Sequence, residues 1–108
     1  MKYDYFEALH EDLCSDACKL TRRKGADYSG QEDTLRNLKA VELVGLCPAE
    51  TGVLVRMQDK MSRLTTLVGA GATPQVADES VRDTILDLIN YSVLLWALIQ
   101  EEASDRPH

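Results

Sequence analysis

The stretch VRDTILDLINYSVLLWALI, Val81–Ile99, decides the fold of this chain. Its apolar residues recur at intervals of three and four, which places them along one face of an α-helix. Beyond Asn90 the apolar residues cover every direction around the helix axis. A domain of this size can cover one side of such a helix, so we expect a second subunit to cover the other. The alternative is a helix enclosed at the centre of its own bundle.

Three further amphipathic patterns precede this helix. The predicted helices are residues 3–24, 34–44, 48–68 and a last helix that begins near Asp78 and ends before the charged segment 101–105. Gly25 and Gly45 are expected to stop the first two helices, and Asp33 to cap the second. No convincing strand pattern is present. The sequence therefore predicts an all-α fold, a compact bundle of about four helices in a single domain spanning residues 1–108.

Composition limits the classes of partner. A chain of 108 residues with a net charge of -6 is a poor candidate for binding DNA or RNA, although a local basic cluster can hold one small phosphorylated ligand. The longest apolar run, Val93–Ile99, is far shorter than the roughly 20 residues that cross a bilayer. Three cysteines without disulfide spacing favour the cytoplasm, and Cys14 and Cys18 are expected to be buried apolar residues.

The third predicted helix carries a polar stripe opposite its apolar one. The stripe consists of Arg56, Asp59, Lys60 and Arg63, at spacings that share about one third of the helix circumference. One interpretation is a solvated face with internal salt bridges. The other is a phosphate-binding surface, because guanidinium groups offer paired donors to phosphate oxygens.

The last predicted helix carries a complementary acidic stripe. It consists of Glu79, Asp83, Asp87 and Asn90. Stacked carboxylates repel one another unless a positive group lies opposite. That group is either the basic stripe, which makes the region a salt-bridge seam between helices, or Mg²⁺, which takes oxygen ligands from carboxylates and from substrate phosphates. Plain exposed surface is the third alternative.

Three segments resemble the nucleotide modification associated domain 1 family. They are Lys24–Tyr28 (KGADY), Gly52–Leu64 (GVLVRMQDKMSRL) and Asp78–Tyr91 (DESVRDTILDLINY), within a match over about residues 20–98. The family is a small all-helical domain of phages and bacteria associated with nucleotide modification systems. The resemblance implies a nucleotide-linked role and a site formed by Asp27, Tyr28, Asn37, Arg56, Asp59, Lys60, Arg63, Glu79, Asp83, Asp87 and Asn90.

A more distant similarity is to all-α nucleoside triphosphate pyrophosphohydrolases of the MazG and dimeric dUTPase type. Those are helical oligomers that bind Mg²⁺ through acids on facing helices, in a Glu-x-x-Glu and a Glu-x-x-Asp pattern. This chain departs from the pattern, because Glu79 and Asp83 are four residues apart and so are Glu7 and Glu11.

Three functional hypotheses follow. As an enzyme, the protein would hold Mg²⁺ through Glu79, Asp83 and Asp87, bind the phosphates of a nucleotide, and orient a water through Asp59 or Asp27 for hydrolysis. As a binding protein, it would hold the nucleotide unchanged through Tyr28, Asn37, Arg56, Lys60, Arg63 and Asn90. A phage protein of that kind would sequester a nucleotide immune signal in the cytoplasm of the bacterial host. The third hypothesis is an oligomeric helical interaction module, a homodimer or larger assembly that binds no nucleotide.

Overall fold

Four α-helices make up the described part of the protein. The computed structural model describes the backbone of residues 1–27, 35–69 and 74–105, and the side chains of residues 1–23, 35–69 and 80–104. The helices are α1 (Tyr3–Asp27), α2 (Arg36–Leu43), α3 (Ala49–Gly69) and α4 (Pro74–Asp105). The described residues contain no strand. The predicted all-α fold with four packed helices is confirmed.

An antiparallel hairpin of α3 and α4 forms the centre of the fold. Val53 near the start of α3 is 1% exposed and packs in a cluster with Leu98 near the end of α4. Further along α3, Lys60 pairs with Asp87, which precedes Leu98 in α4. The two contacts run in opposite order along the two helices, so the helices are antiparallel. Burial of these apolar side chains stabilises the hairpin.

The two shorter interfaces join α2 and α1 to this hairpin. Leu35 at the start of α2 belongs to the same buried cluster as Val53, and a Cβ at Gly52 would lie 3.1 Å from Val41 Cγ2. Glycine at position 52 therefore allows α2 and α3 to approach closely. α1 crosses α4 at Ala17, which is 1% exposed and is small enough for close contact between the helices.

Four boundaries differ from the prediction. α1 continues through Gly25 to Asp27, α2 is the shorter helix Arg36–Leu43, α4 begins at Pro74 rather than Asp78, and α4 includes the charged segment 101–105. Glycine inside a helix costs only about 1 kcal/mol. Proline suits the first turn of a helix because an N–H at that position would have no partner within the helix.

Gly45 follows α2 with a φ of +78°, as predicted for a residue that ends a helix. The cap assigned to Asp33 lies outside the described residues, and the N-cap of α2 is Leu35.

The first half of α1 extends beyond the rest of the fold. Phe6 and Leu9 continue the face that packs on α4 at Leu13 and Ala17, but both are exposed. Because α4 covers only one side of α1, Cys14 and Cys18 are exposed, and the prediction that these two cysteines are buried is wrong.

The molecule measures 48 × 30 × 30 Å. Within its described residues, none of the helices carries an apolar stretch long enough to span a bilayer.

Candidate functional site

The acidic stripe of α4 lies between the faces that contact α1 and α3. Arg82 and Asn90 contact α1, whereas Asp87 and Leu98 contact α3. At about 100° per residue, Asp83 falls between these two faces. α1 and α3 do not pack on each other within the described residues. The three helices therefore border a groove, with α4 as its floor and α1 and α3 as its walls, which we call the polar groove.

One ion pair crosses from the floor of the polar groove to the α3 wall. Lys60 Nζ lies 3.0 Å from Asp87 Oδ2, and each side chain is 28% exposed. This pair is the salt-bridge seam that was one interpretation of the two stripes. It also neutralises Asp87, which reduces the repulsion expected between that carboxylate and Asp83 one turn away.

The two arginines of the α3 stripe are available to a ligand. Arg56 and Arg63 are exposed and form no salt bridge within the described residues. They lie within about 60° of Lys60 around the α3 axis, so we expect them on the side of α3 that faces the polar groove. Asp59, the predicted water-orienting residue, is also exposed and lies further from the α3–α4 contact.

A depression of about 300 Å³ lies between α1 and α4 next to Asp83. Its lining consists of Asp16, Lys19, Leu20, Arg23, Arg82, Asp83 and Leu86. Three cations and two carboxylates leave a net positive charge there. Sequence reasoning missed all of the α1 residues and Arg82. The sequence does show a run of basic residues near the end of α1. It does not reveal which helix those residues face.

Arg82 on α4 connects this helix to α1 beside the depression. Its Nη2 lies 2.7 Å from Asp16 Oδ2 and 3.5 Å from Asp12 Oδ2. The hydrogen bond from Arg82 lowers the pKa of Asp16 below its ordinary value of 3.8, against a smaller opposing effect of desolvation, and the charges of Arg82, Lys19 and Arg23 lower it further. The same hydrogen bond raises the pKa of Arg82. Asp16 is therefore a carboxylate at neutral pH, and Arg82 is engaged with it.

Asn90, predicted to contact a ligand, has a structural partner. Its Nδ2 donates a hydrogen bond to the backbone oxygen of Ala17 at 3.1 Å. The side chain thus holds α1 on α4 at the point where the two helices cross. Its Oδ1 has no hydrogen-bond partner within the described residues.

The carboxylates predicted to bind Mg²⁺ have different neighbours. Asp87 faces Lys60 on α3, and Asp83 lines the depression beside α1. The side chain of Glu79 lies outside the described residues. Among the described residues, no group of three His, Cys, Asp or Glu side chains is arranged to hold a metal ion. Because Glu79 is one of the three predicted ligands, the Mg²⁺ site formed by Glu79, Asp83 and Asp87 stays a prediction.

Three other residues were predicted to belong to the site, namely Asp27, Tyr28 and Asn37. The side chain of Asp27 and all of Tyr28 lie outside the described residues. Asn37 is exposed on α2, which packs on α3 and not on α1.

A second depression, of about 270 Å³, lies where α2 meets the start of α3 and the end of α4. Four glutamates line it, Glu42, Glu50, Glu101 and Glu102, together with Lys39, Ala49 and Leu98. Lys39 is paired with Glu101, and Glu42 Oε1 accepts a hydrogen bond from the N–H of Ala49 at 3.2 Å. Because carboxylates dominate this depression, it repels phosphate, and the α1–α4 depression is the better candidate for an anionic ligand.

Comparison of the chain with protein-family models, with curated proteins and with solved structures found no match. The resemblance to the nucleotide modification associated domain 1 family, and the more distant similarity to the pyrophosphohydrolases, therefore stay predictions.

Proposed function

We propose that the protein binds a phosphorylated nucleoside in the polar groove and leaves it unchanged. The observation that carries the proposal is a set of four exposed cations on the two helices that pack on α4, which form no salt bridge within the described residues. They are Lys19 and Arg23 on α1, and Arg56 and Arg63 on α3. In a chain with a net charge of -6, such a local excess of positive groups is what a phosphate-binding surface requires.

The size of the depression beside Asp83 supports a small ligand. About 300 Å³ lies at the lower end of the range for small-molecule sites, which suits a phosphate group with part of its nucleoside. Guanidinium groups bind phosphate oxygens through paired, charge-assisted hydrogen bonds. The uncharged part of the ligand would extend along α4, where Asn90 Oδ1 is an available acceptor.

Binding is favoured over hydrolysis because two of the acids beside the groove are paired with cations, although Asp83 is not. Lys60 forms a salt bridge with Asp87, and Arg82 forms one with Asp16, so both carboxylates are paired with cations. Capture without turnover is also the chemistry needed by a phage protein that sequesters a nucleotide immune signal, and we extend the proposal to that role.

Isothermal titration with nucleoside mono-, di- and triphosphates and with cyclic nucleotides, in Mg²⁺ and in EDTA, tests the proposal. We expect Arg23→Ala, Arg56→Ala and Arg63→Ala each to weaken binding about tenfold or more. Arg22→Ala is the matched control, because Arg22 is exposed on α1 but does not line the depression. Chromatography after incubation should return the ligand intact.

Two results would contradict the proposal. One is the absence of binding by any of these nucleotides at millimolar concentration. The other is an equal loss of affinity in Arg22→Ala and Arg23→Ala, which would indicate a general effect of positive charge. Release of pyrophosphate would support binding but replace capture with hydrolysis.

A further inference from the structure

Away from the polar groove, the α3–α4 hairpin has an uncharged face on which neither α1 nor α2 packs within the described residues. On α3 it consists of Leu54, Gln58, Met61, Thr65 and Val68, and on α4 of Ile85, Leu88, Ser92, Leu95, Trp96 and Ile99. We call it the back face. Leu54, Met61, Val68, Trp96 and Ile99 are exposed, and Trp96 is 61% exposed.

The spacing on both helices is that of a helix–helix seam. Leu54, Met61 and Val68 are seven residues apart, with Gln58 and Thr65 between them at intervals of four and three. On α4, Ile85, Ser92 and Ile99 follow the same seven-residue spacing, with Leu88 and Leu95 between them. This alternation of three and four is the pattern by which helices pack along their length in bundles and coiled coils.

Charge is absent from this face although the hairpin carries many charged residues. From Leu88 to Gln100 the chain contains no charged residue, and the charged residues of α3 between Leu54 and Val68 are those of the polar stripe. A helix that lies on a membrane surface carries Lys or Arg beside its apolar face, which residues 88–100 lack. An uncharged seam is complementary to another uncharged seam, including its own copy.

The accessible surface of the chain also indicates a missing partner. A compact monomer of 12.0 kDa is expected to expose about 6000 Å², whereas this chain exposes 8279 Å². The difference includes the exposed first half of α1, and it is larger than the roughly 800 Å² that each partner buries in a stable interface of ordinary size. Six apolar residues are buried in the described part of the chain, so a large share of its apolar surface lies outside its own core.

We propose that the back face packs on the back face of a second copy. Two α3–α4 hairpins then form a four-helix bundle, with Trp96 of each copy buried in the interface. The polar groove lies away from this interface and stays open in both copies. The proposal does not depend on the identity of the ligand.

Sedimentation velocity over a range of protein concentrations, with the emission of the single tryptophan measured on the same samples, tests the proposal. We expect a dimer at tens of micromolar, an estimate for a specific interface of this size, and a red shift of the Trp96 emission on dilution. Met61→Glu should weaken dimerisation about 30-fold or more, because a charge would then be buried in the interface. Leu43→Glu is the matched control, since Leu43 is 82% exposed on α2 and outside the back face.

Circular dichroism separates loss of dimer from loss of fold, because Met61 is exposed in the single chain and its replacement should leave the helix content unchanged. A monomer at every concentration would overturn the proposal, whether or not it binds lipid vesicles or another protein. So would a dimer that persists in Met61→Glu or dissociates equally in Leu43→Glu, because the interface would then lie elsewhere.

Discussion

Asn90 holds α1 on α4 through a hydrogen bond from its Nδ2 to the carbonyl oxygen of Ala17. We expect Asn90→Ala to lower the free energy of unfolding by about 1 kcal/mol, the net contribution of such a bond in a partly buried site. Asn37→Ala is the control, because Asn37 is exposed and should change stability by less than about 0.5 kcal/mol. Urea denaturation of both variants measures the difference, and equal midpoints would contradict the role assigned to Asn90.

Asp16 makes the contact between α1 and α4 sensitive to acid. Because Arg82 lowers the pKa of Asp16, the folded state holds this carboxylate charged at pH values where the unfolded chain protonates it. The pairing thus contributes its full stability above pH 3.8, and this contribution is lost as the pH falls through the lowered pKa.

Asp16→Asn removes that contribution at neutral pH. We expect the variant to be less stable than the wild-type protein at pH 7 and the two stability curves to converge as the pH falls below 3.8. Thermal denaturation between neutral and acidic pH measures both curves. A constant difference between them would show that the Asp16 charge is not the source of the effect.

At the scale of elements, the Lys60–Asp87 pair joins α3 to α4. We expect Asp87→Asn to lower the free energy of unfolding by about 1 kcal/mol, since both side chains are mostly buried and Lys60 loses its partner. Asp83→Asn should have a smaller effect, because Asp83 is exposed and forms no salt bridge within the described residues. Denaturation in Mg²⁺ and in EDTA should give the same two values. A stabilisation by Mg²⁺ that either substitution removes would support the predicted metal site instead.

The sequence predicted the existence of the helices better than their ends or their neighbours. The periodicity of α3 and α4 correctly indicated two long helices with polar stripes. The positions of Gly25 and Pro74 did not reveal where α1 ends and α4 begins, because their local preferences are small beside the stability of a long helix. The position of a polar stripe on a helix also does not reveal which other helix packs against it. Asp83 and Asp87 are one turn apart on α4, yet Asp83 lies beside α1 and Asp87 contacts α3.

At the scale of the whole molecule, assembly should make stability depend on concentration. A dimer that dissociates on unfolding is favoured by mass action. We expect the thermal midpoint to rise by about 5 °C or more over a hundredfold increase in protein concentration. In Met61→Glu the midpoint should rise much less over the same range, because the dimer is weaker. Differential scanning fluorimetry at several concentrations measures this, and a constant midpoint in the wild-type protein would indicate that unfolding involves a single chain.

The sequence predicted a second subunit from the apolar residues around the end of α4, and the exposure of Trp96 and Ile99 shows that this chain alone leaves that surface uncovered. The site was harder to predict as a whole. Arg82 is 66 residues from Asp16, and no local pattern indicates a contact over that separation. Only the crossing of α1 over α4 places the cations of α1 beside the acidic stripe.

The free end of α1 has a consequence for how the protein opens. Among the described residues, the hydrogen bonds between α1 and α4 lie at Asp12 or beyond, and the first turns, from Tyr3 to Leu9, have helical hydrogen bonds and ring contacts within α1. A helical segment shorter than about 12 residues is marginal in water. These turns can therefore fray while α3 and α4 stay folded, and their amides will exchange with deuterium long before those of the hairpin. A protease that cleaves extended chains would cut within these turns before it cuts within α3 or α4.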